Sequence, residues 1–146
     1  MRLVVQRCSR AAVRVGEEVV GSIEHGAVVL VAVARDDREE QADWLAQKLS
    51  KLRIYDDHEG RLNAPIQDTD GAFLVISQFT LYADCRKGNR PSYLQSAPPD
   101  HARSLYEYFV NALRAMGHRV ETGRFQETMA VELVNDGPVT LILERS

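Results

Sequence analysis

A fully apolar run, AVVLVAVA from Ala27 to Ala34, predicts a strand that is buried in the core. Three shorter β-prone segments precede it, separated by polar residues or by a Gly-Glu pair: Leu3–Arg7, Ala12–Val15 and Val19–Ile23. The N-terminal part of the chain is therefore predicted to consist of strands.

Apolar residues at helical spacing begin near Asp37 and again near Asp100. The acidic cluster 36–40 suits a helix N-terminus, and we interpret it as a solvated cap. The second helix is predicted from its N-cap Asp100 to Met116, with Gly117 just past its end. The predicted buried faces are Ala42, Leu45, Ala46, Leu49 and Leu52 in the first helix, and Ala102, Leu105, Phe109, Leu113 and Met116 in the second.

Further strands are predicted at Ala72–Ile76 and in two alternating stretches near the C-terminus, around Val131 and Leu141. Between these two stretches lies Asn-Asp-Gly, which normally indicates a hairpin turn. Pro138 follows directly and removes a donor where the returning strand should begin to pair. We predict two strands joined by this unusual turn. With mostly sequential strands and two helices, the fold class is α+β.

The composition excludes several classes of protein. The chain has 146 residues, 45% apolar and 27% charged, which fits one domain over residues 1–146. Its formal net charge of -3 gives no global attraction to nucleic acid, so any RNA contact must be local. No apolar run suits a signal peptide or a membrane span, and a cytoplasmic location is expected. Cys8 and Cys85 stand far apart, which predicts free thiols.

No standard catalytic or metal-binding motif is found in the sequence. The GxSxG pattern of serine hydrolases is missing. The four histidines, His25, His58, His101 and His118, lie in turns or near helix ends and are predicted at the surface. No pair of His, Cys or carboxylate residues has the spacing of a metal site, so neither a metal nor a cofactor is expected.

Two polar segments remain as candidates for a site. In SQFTLYAD, Ser77–Asp84, polar residues crowd the end of a strand, where they either form a site or satisfy backbone groups. In CRKGNRPSY, the basic residues Arg86, Lys87 and Arg90 either bind phosphate or are merely solvated. The pattern alone favours the structural interpretation of both segments.

Six motifs, taken together and in order, resemble the D-aminoacyl-tRNA deacylase family over the whole chain: VQR, SQFTL, GNRPSY, LYEYF, TGRF and LVNDGPVT. SQFTL and NDGPVT are the specific pair, about sixty residues apart. Tyr82 and Tyr93 depart from the family pattern, where a smaller residue and Phe are expected. Neither departure falls within the two central motifs.

The resemblance implies an esterase that removes a D-amino acid, or glycine, from the 3′ end of mischarged tRNA. It implies a barrel-like, mostly antiparallel β core with two flanking helices. It also implies a homodimer whose active site lies at the interface, and a tRNA acceptor end as the partner.

The resemblance also implies site residues. Gly137-Pro138 would form a cis peptide bond and reach into the partner subunit's site, where main-chain carbonyls would hold the substrate's α-ammonium group and select its hand. Arg7 would brace this loop and Met129 would line the pocket. The remaining residues form the predicted catalytic group: Ser77, Gln78 and Phe79 at the terminal adenosine and the ester, with Thr80 supporting them.

Thr80 has no adjacent base in its motif, which argues against a nucleophile. The family view is that the ribose 2′-hydroxyl of the tRNA helps to activate water. Two alternatives stay open: an esterase for small amino-acid esters, and a catalytically silent RNA-binding module.

Overall fold

The apolar run forms a strand from Gly26 to Ala32, inside a six-stranded sheet. This computed structural model describes residues 1–146. The strands are β1 (Arg2–Val15), β2 (Glu18–Ile23), β3 (Gly26–Ala32), β4 (Tyr55–Asp56), β5 (Leu62–Ala64), β6 (Ala72–Ser77), β7 (Val120–Thr122) and β8 (Ala130–Glu144). The helices are α1 (Glu39–Lys51) and α2 (Pro99–Ala115), with short 3-10 helices at Ile66–Asp68 and Phe79–Tyr82.

The main sheet is nearly closed into a barrel. Its order is β2-β1-β3-β6-β7, with β8 on the other side of β1. The pairs that involve β1 are antiparallel, whereas β6 pairs in parallel with β3 and β7. The end strands β2 and β7 approach so closely that a Cβ on Gly21 would overlap the carbonyl oxygen of Thr122. The predicted α+β class, with a barrel-like sheet and two helices, is confirmed.

The predicted division of the N-terminal segment is wrong, because Arg2–Val15 is one strand. Its first half pairs with β3 and its second half with β2, while β8 runs along its other edge. The polar residues around Ser9 do not end the strand, because β8 continues to pair with it on both sides of that point.

The predicted hairpin at Asn-Asp-Gly-Pro is also wrong. Ala130–Glu144 is a single strand that never reverses direction. Its register against β1 jumps from Gln6–Thr140 to Cys8–Asn135, so residues 136–139 bulge out without partners in β1. A proline lacks the N–H that a ladder needs, and the bulge places it where no such donor is required.

Both faces of β3 are buried, as the apolar run predicted. Val29 and Val31 face the larger core, which the two helices cover, and Val28 faces a smaller core inside the barrel. Cys8, Leu74 and other residues of β1 and β6 complete this inner core. Both cysteines are free thiols, as predicted, with Cys8 buried and Cys85 exposed.

The helices differ from prediction at their ends. The α2 helix begins at Pro99, and its N-cap is Pro98, so the prediction of Asp100 as the N-cap is wrong. Met116 is 41% exposed, while Tyr106 and Val110 widen the buried face beyond the predicted stripe. Neither helix is long and apolar enough to span a bilayer.

Three polar groups lie deeper than predicted. Asp37 is buried, and its Oδ2 lies 2.6 Å from the α-ammonium group of Met1 and accepts the N–H of Ala34. His101 and His118 are half-buried, and the His118 ring lies 2.5 Å from the hydroxyl of Ser50. Each of these groups contacts a residue far away in the sequence, which periodicity along one segment does not reveal.

Candidate active site

A cavity of about 810 Å³ opens where β6 leaves the sheet. Its walls come from the end of β6, the 3-10 helix that follows, the start of α2 and the segment from Phe125 to Val131. Arg35 and Glu127 are its charged lining residues, and none of the four histidines lines it. The cavity therefore lacks the usual side chain for general base catalysis.

Gln78 connects the end of β6 to the 3-10 helix. Its backbone N–H donates to the carbonyl of Val31 at 2.7 Å, which continues the β6–β3 pairing by one residue. Its side-chain amide donates to the hydroxyl oxygen of Thr80. Ser77 and Gln78 line the cavity, whereas Thr80 lies behind them. Thr80 thus holds Gln78 in place and has no base beside it to make it a nucleophile.

Phe79 stands at the mouth of the cavity with 53% of its surface exposed. Its ring meets the ring of Tyr93 edge to face, with centroids 5.0 Å apart. The hydroxyl of Ser96 donates to the Phe79 carbonyl at 3.2 Å, which anchors the backbone beneath the ring. Two exposed aromatic rings at a cavity mouth offer a surface on which a nucleobase stacks.

The opposite wall is built by the segment that follows β7. The Phe125 ring packs near the Tyr106 ring, and the guanidinium of Arg103 lies 4.9 Å from the centroid of the Phe125 ring. Gln126 has a φ of 62°, an uncommon left-handed conformation for a residue other than glycine. This turn brings Met129 into the cavity lining, where it is half-buried.

Arg7, Gly137 and Pro138 form a second group. The buried Arg7 guanidinium donates through Nε to the Asp136 carbonyl at 3.1 Å and through Nη1 to the Ile54 carbonyl at 2.9 Å. The peptide bond between Gly137 and Pro138 is cis, as the family resemblance implies. Both residues are exposed, and the backbone of Gly137 passes close to the Arg7 side chain, since a Cβ on it would lie 3.1 Å from Nη2.

Burial dominates the electrostatics beneath this bulge. Loss of solvent raises the pKa of the Cys8 thiol to about 11, partly offset by a backbone hydrogen bond from Val28. The pKa of Tyr55 is also raised by burial, and its hydroxyl has no hydrogen-bond partner in the chain. Cys8 therefore stays a neutral thiol at physiological pH and is no candidate nucleophile.

The structure thus brings the predicted residues together in two groups. Ser77, Gln78, Phe79 and Met129 line one cavity, and Thr80 is joined to it through Gln78. Arg7 contacts the bulge that carries Gly137 and Pro138, and none of these three lines the cavity of its own chain.

The cavity residues missed from the sequence include Tyr93, Ser96 and Phe125. Tyr93 and Phe125 lie in the motifs GNRPSY and TGRF, which signalled the family without indicating a role. Of the predicted basic cluster, Arg86 is already engaged, because it donates to both carboxylate oxygens of Asp84 at 2.9 and 2.6 Å.

The chain is similar to known proteins over nearly its whole length. Residues 4–144 match the family model described as D-Tyr-tRNA(Tyr) deacylase. The chain is 54% identical over 146 residues to the D-aminoacyl-tRNA deacylase of Thermotoga petrophila, covering 100% of this chain and 98% of that protein. It is 56% identical over 144 residues to the protein of the same name from Symbiobacterium thermophilum, covering 99% and 95%.

Two solved structures have similar folds. The c-Myc DNA unwinding element binding protein superposes with a TM-score of 0.94 at 34% identity, covering 100% of this chain and 99% of that one. A probable eukaryotic D-amino acid tRNA deacylase superposes with a TM-score of 0.83 at 18% identity, covering 97% of each chain. The second likeness concerns the fold alone.

Proposed function

This chain belongs to the D-Tyr-tRNA(Tyr) deacylase family, and on that basis we propose how it works and what it accepts. It is a hydrolase that cleaves the ester bond of D-aminoacyl-tRNA and releases free tRNA and the D-amino acid. We propose that residues 1–146 act as one domain, that glycyl-tRNA is also a substrate, and that the enzyme works in the cytoplasm, where tRNA is charged. The family match over residues 4–144 carries this conclusion.

The active unit is proposed to be a homodimer in which Gly137-Pro138 of one subunit enters the cavity of the other. Two observations support this arrangement. The bulge lies outside the cavity of its own chain. In addition, β8 pairs only with β1 and leaves a long edge with exposed Val131, Val134 and Ile142. Long edges with exposed apolar residues are normally covered, and a second copy of the chain is the simplest cover.

In this dimer, main-chain carbonyls of the bulge recognise the α-ammonium group of the substrate. Residues 136–139 have no ladder partners in β1, and the Asp136 carbonyl is taken by the Arg7 side chain, so the carbonyls of Gly137 and Pro138 are the ones proposed to accept. Proline offers a carbonyl and no N–H, which makes the tip an acceptor-only surface that suits a cation. A clamp on the ammonium group fixes the substituents of Cα without reading the side chain. It therefore selects the hand of the amino acid and not its identity.

Ser77, Gln78 and Phe79 are proposed to hold the terminal adenosine and the ester. The cavity contains no histidine, and Thr80 is occupied by Gln78, which agrees with the role implied by the family resemblance, in which the protein supplies position and polarisation. As the family resemblance implies, the ribose 2′-hydroxyl of the substrate is proposed to help activate the attacking water. Since Arg86 is paired with Asp84, Lys87 and Arg90 are the residues proposed to meet the tRNA phosphates.

The activity is tested with matched D- and L-tyrosyl-tRNA and with glycyl-tRNA. We expect the D form and the glycyl form to be cleaved and the L form to be left intact. Equal cleavage of a free D-tyrosine ester and of D-tyrosyl-tRNA would favour an esterase for small molecules. Binding of uncharged tRNA without cleavage of any charged form would favour an RNA-binding module.

The shared site is tested by mixing two inactive variants. Gly137→Ala keeps the cavity and damages the bulge, whereas Gln78→Ala keeps the bulge and damages the cavity. Dissociating and re-pairing the two should restore activity that neither variant has alone, because the mixed dimer contains one intact site. No recovery in verified mixed dimers, or full activity in a stable monomer, contradicts the shared site.

A further inference from the structure

Gly123 lies directly beneath the side chain of Met129. It is the first residue after β7, and a Cβ placed on it would lie 2.5 Å from the Met129 sulfur. Unlike Gly137, Gly123 does not adopt the left-handed backbone conformation. What an added side chain would meet at this position is therefore the Met129 thioether, and the backbone conformation itself does not call for glycine.

Met129 is held between this glycine and the cavity. On the inner side, the next nearest atoms to the added Cβ are the Met129 methyl group and a methyl group of Val13, both at an ordinary contact distance of 3.7 Å. On the outer side, Met129 lines the cavity together with Ser77 and Phe79. Methionine is flexible, so its sulfur moves more easily than the surrounding backbone does. A methyl group on Gly123 would therefore push the thioether toward the open cavity.

We propose that Gly123 is a positioning residue that sets where the Met129 side chain stands, and so sets the width of the substrate cavity. This inference rests on the proposed function, because it takes the cavity to be where aminoacyl-tRNA binds. Gly123 itself does not line the cavity and acts through Met129. The contact is purely steric, so its effect depends entirely on the presence of the methionine.

A double-mutant cycle of Gly123→Ala, Met129→Ala and both together tests the proposal, with D-tyrosyl-tRNA as substrate. Gly123→Ala should raise KM about tenfold or more, as one extra methyl group in a fitted pocket does, with a smaller change in kcat. In the Met129→Ala background the same substitution should change kcat/KM by no more than about twofold. Thermal melts of all four proteins show whether a change in KM comes from weaker substrate binding or from partial unfolding.

Two results would overturn the inference. One is a KM for Gly123→Ala that equals the wild-type KM. The other is a loss of kcat/KM on Gly123→Ala that is just as large when Met129 is already alanine. If Gly123→Ala fails to fold, the double mutant decides: recovery of folding supports the contact, and continued unfolding shows that the glycine serves the fold alone. A wild-type protein that does not cleave D-tyrosyl-tRNA would instead refute the proposed function, a result that this cycle reports separately.

Discussion

The Arg7 guanidinium ties the bulge of β8 to the segment before β4, and replacing it with lysine tests that role. Arg7 donates to two carbonyls in different directions, those of Asp136 and Ile54. Lysine keeps the positive charge but has a single nitrogen, which cannot occupy both positions of the planar guanidinium. Arg7→Lys therefore removes one hydrogen bond from a charged donor and leaves a carbonyl poorly satisfied.

The expected cost follows from these contacts. A hydrogen bond to a charged group contributes about 1.5 to 3 kcal/mol, and Arg7 is only 7% exposed, so water cannot readily replace the lost donor. For a chain of this length, that corresponds to a fall in melting temperature of roughly 3 to 12 °C. The bulge should also shift, and a misplacement of about 1 Å in a positioning element costs roughly 100-fold in rate.

Both quantities are measured against Arg10→Lys, which makes the same change at an exposed position of the same strand. Melts at one fixed protein concentration and initial rates on D-tyrosyl-tRNA are compared for the wild type and the two variants. Equal melting temperatures for Arg7→Lys and Arg10→Lys would refute the energetic reasoning. A lowered melting temperature with wild-type rate would show that Arg7 supports the fold without positioning the bulge.

Three further predictions concern single groups. Gly137→Ala should lower the rate on D-tyrosyl-tRNA far more than it lowers the melting temperature. The residue is exposed, has a φ of 122°, and its new Cβ would lie 3.1 Å from Arg7 Nη2, so the substitution should displace the bulge and leave the core in place. Unchanged kinetics would contradict this. Burial lowers the pKa of His118 below its unfolded value of 6.5, so its contribution to stability is complete above pH 6.5 and is lost as pH falls through the folded pKa. His118→Gln should therefore reduce the fall of melting temperature with pH below 6.5. An identical slope of melting temperature against pH would refute the assignment. Tyr55→Phe removes a buried hydroxyl without a partner and should stabilise the fold by about 1 kcal/mol in urea unfolding, whereas a loss would reveal a partner such as a bound water.

Local patterns predicted most of the secondary structure. The apolar run became β3, and the helical spacing around Leu45 and Leu105 became α1 and α2. Each of these patterns is contained in one continuous segment. They could be predicted because burial of one helix face, or of a whole strand, shows directly in the positions of the apolar residues. The helix ends were less accurate, since α2 takes Pro98 as its cap and exposes Met116.

The candidate site was predicted in part, and only through motifs. SQFTL indicated Ser77, Gln78 and Phe79, which do line the cavity. Periodicity alone had favoured a structural role for the same residues. Tyr93 and Phe125 were not assigned to the site, because a cavity is made of walls that come from separate segments. Nothing in either segment shows which other segment it will face.

The sequence by itself determined where the chain forms β3 and its two helices, and the family to which it belongs. The tertiary structure decided what Asn-Asp-Gly-Pro does. Taken alone, those residues specify a turn, but β1 pairs with both flanking stretches, and Arg7 reaches across 129 positions to the carbonyl of Asp136. The physical reason is that a turn signal is a weak local preference, whereas pairing along β1 supplies many hydrogen bonds at once. The strand therefore continues, and the proline is displaced into a bulge at the surface.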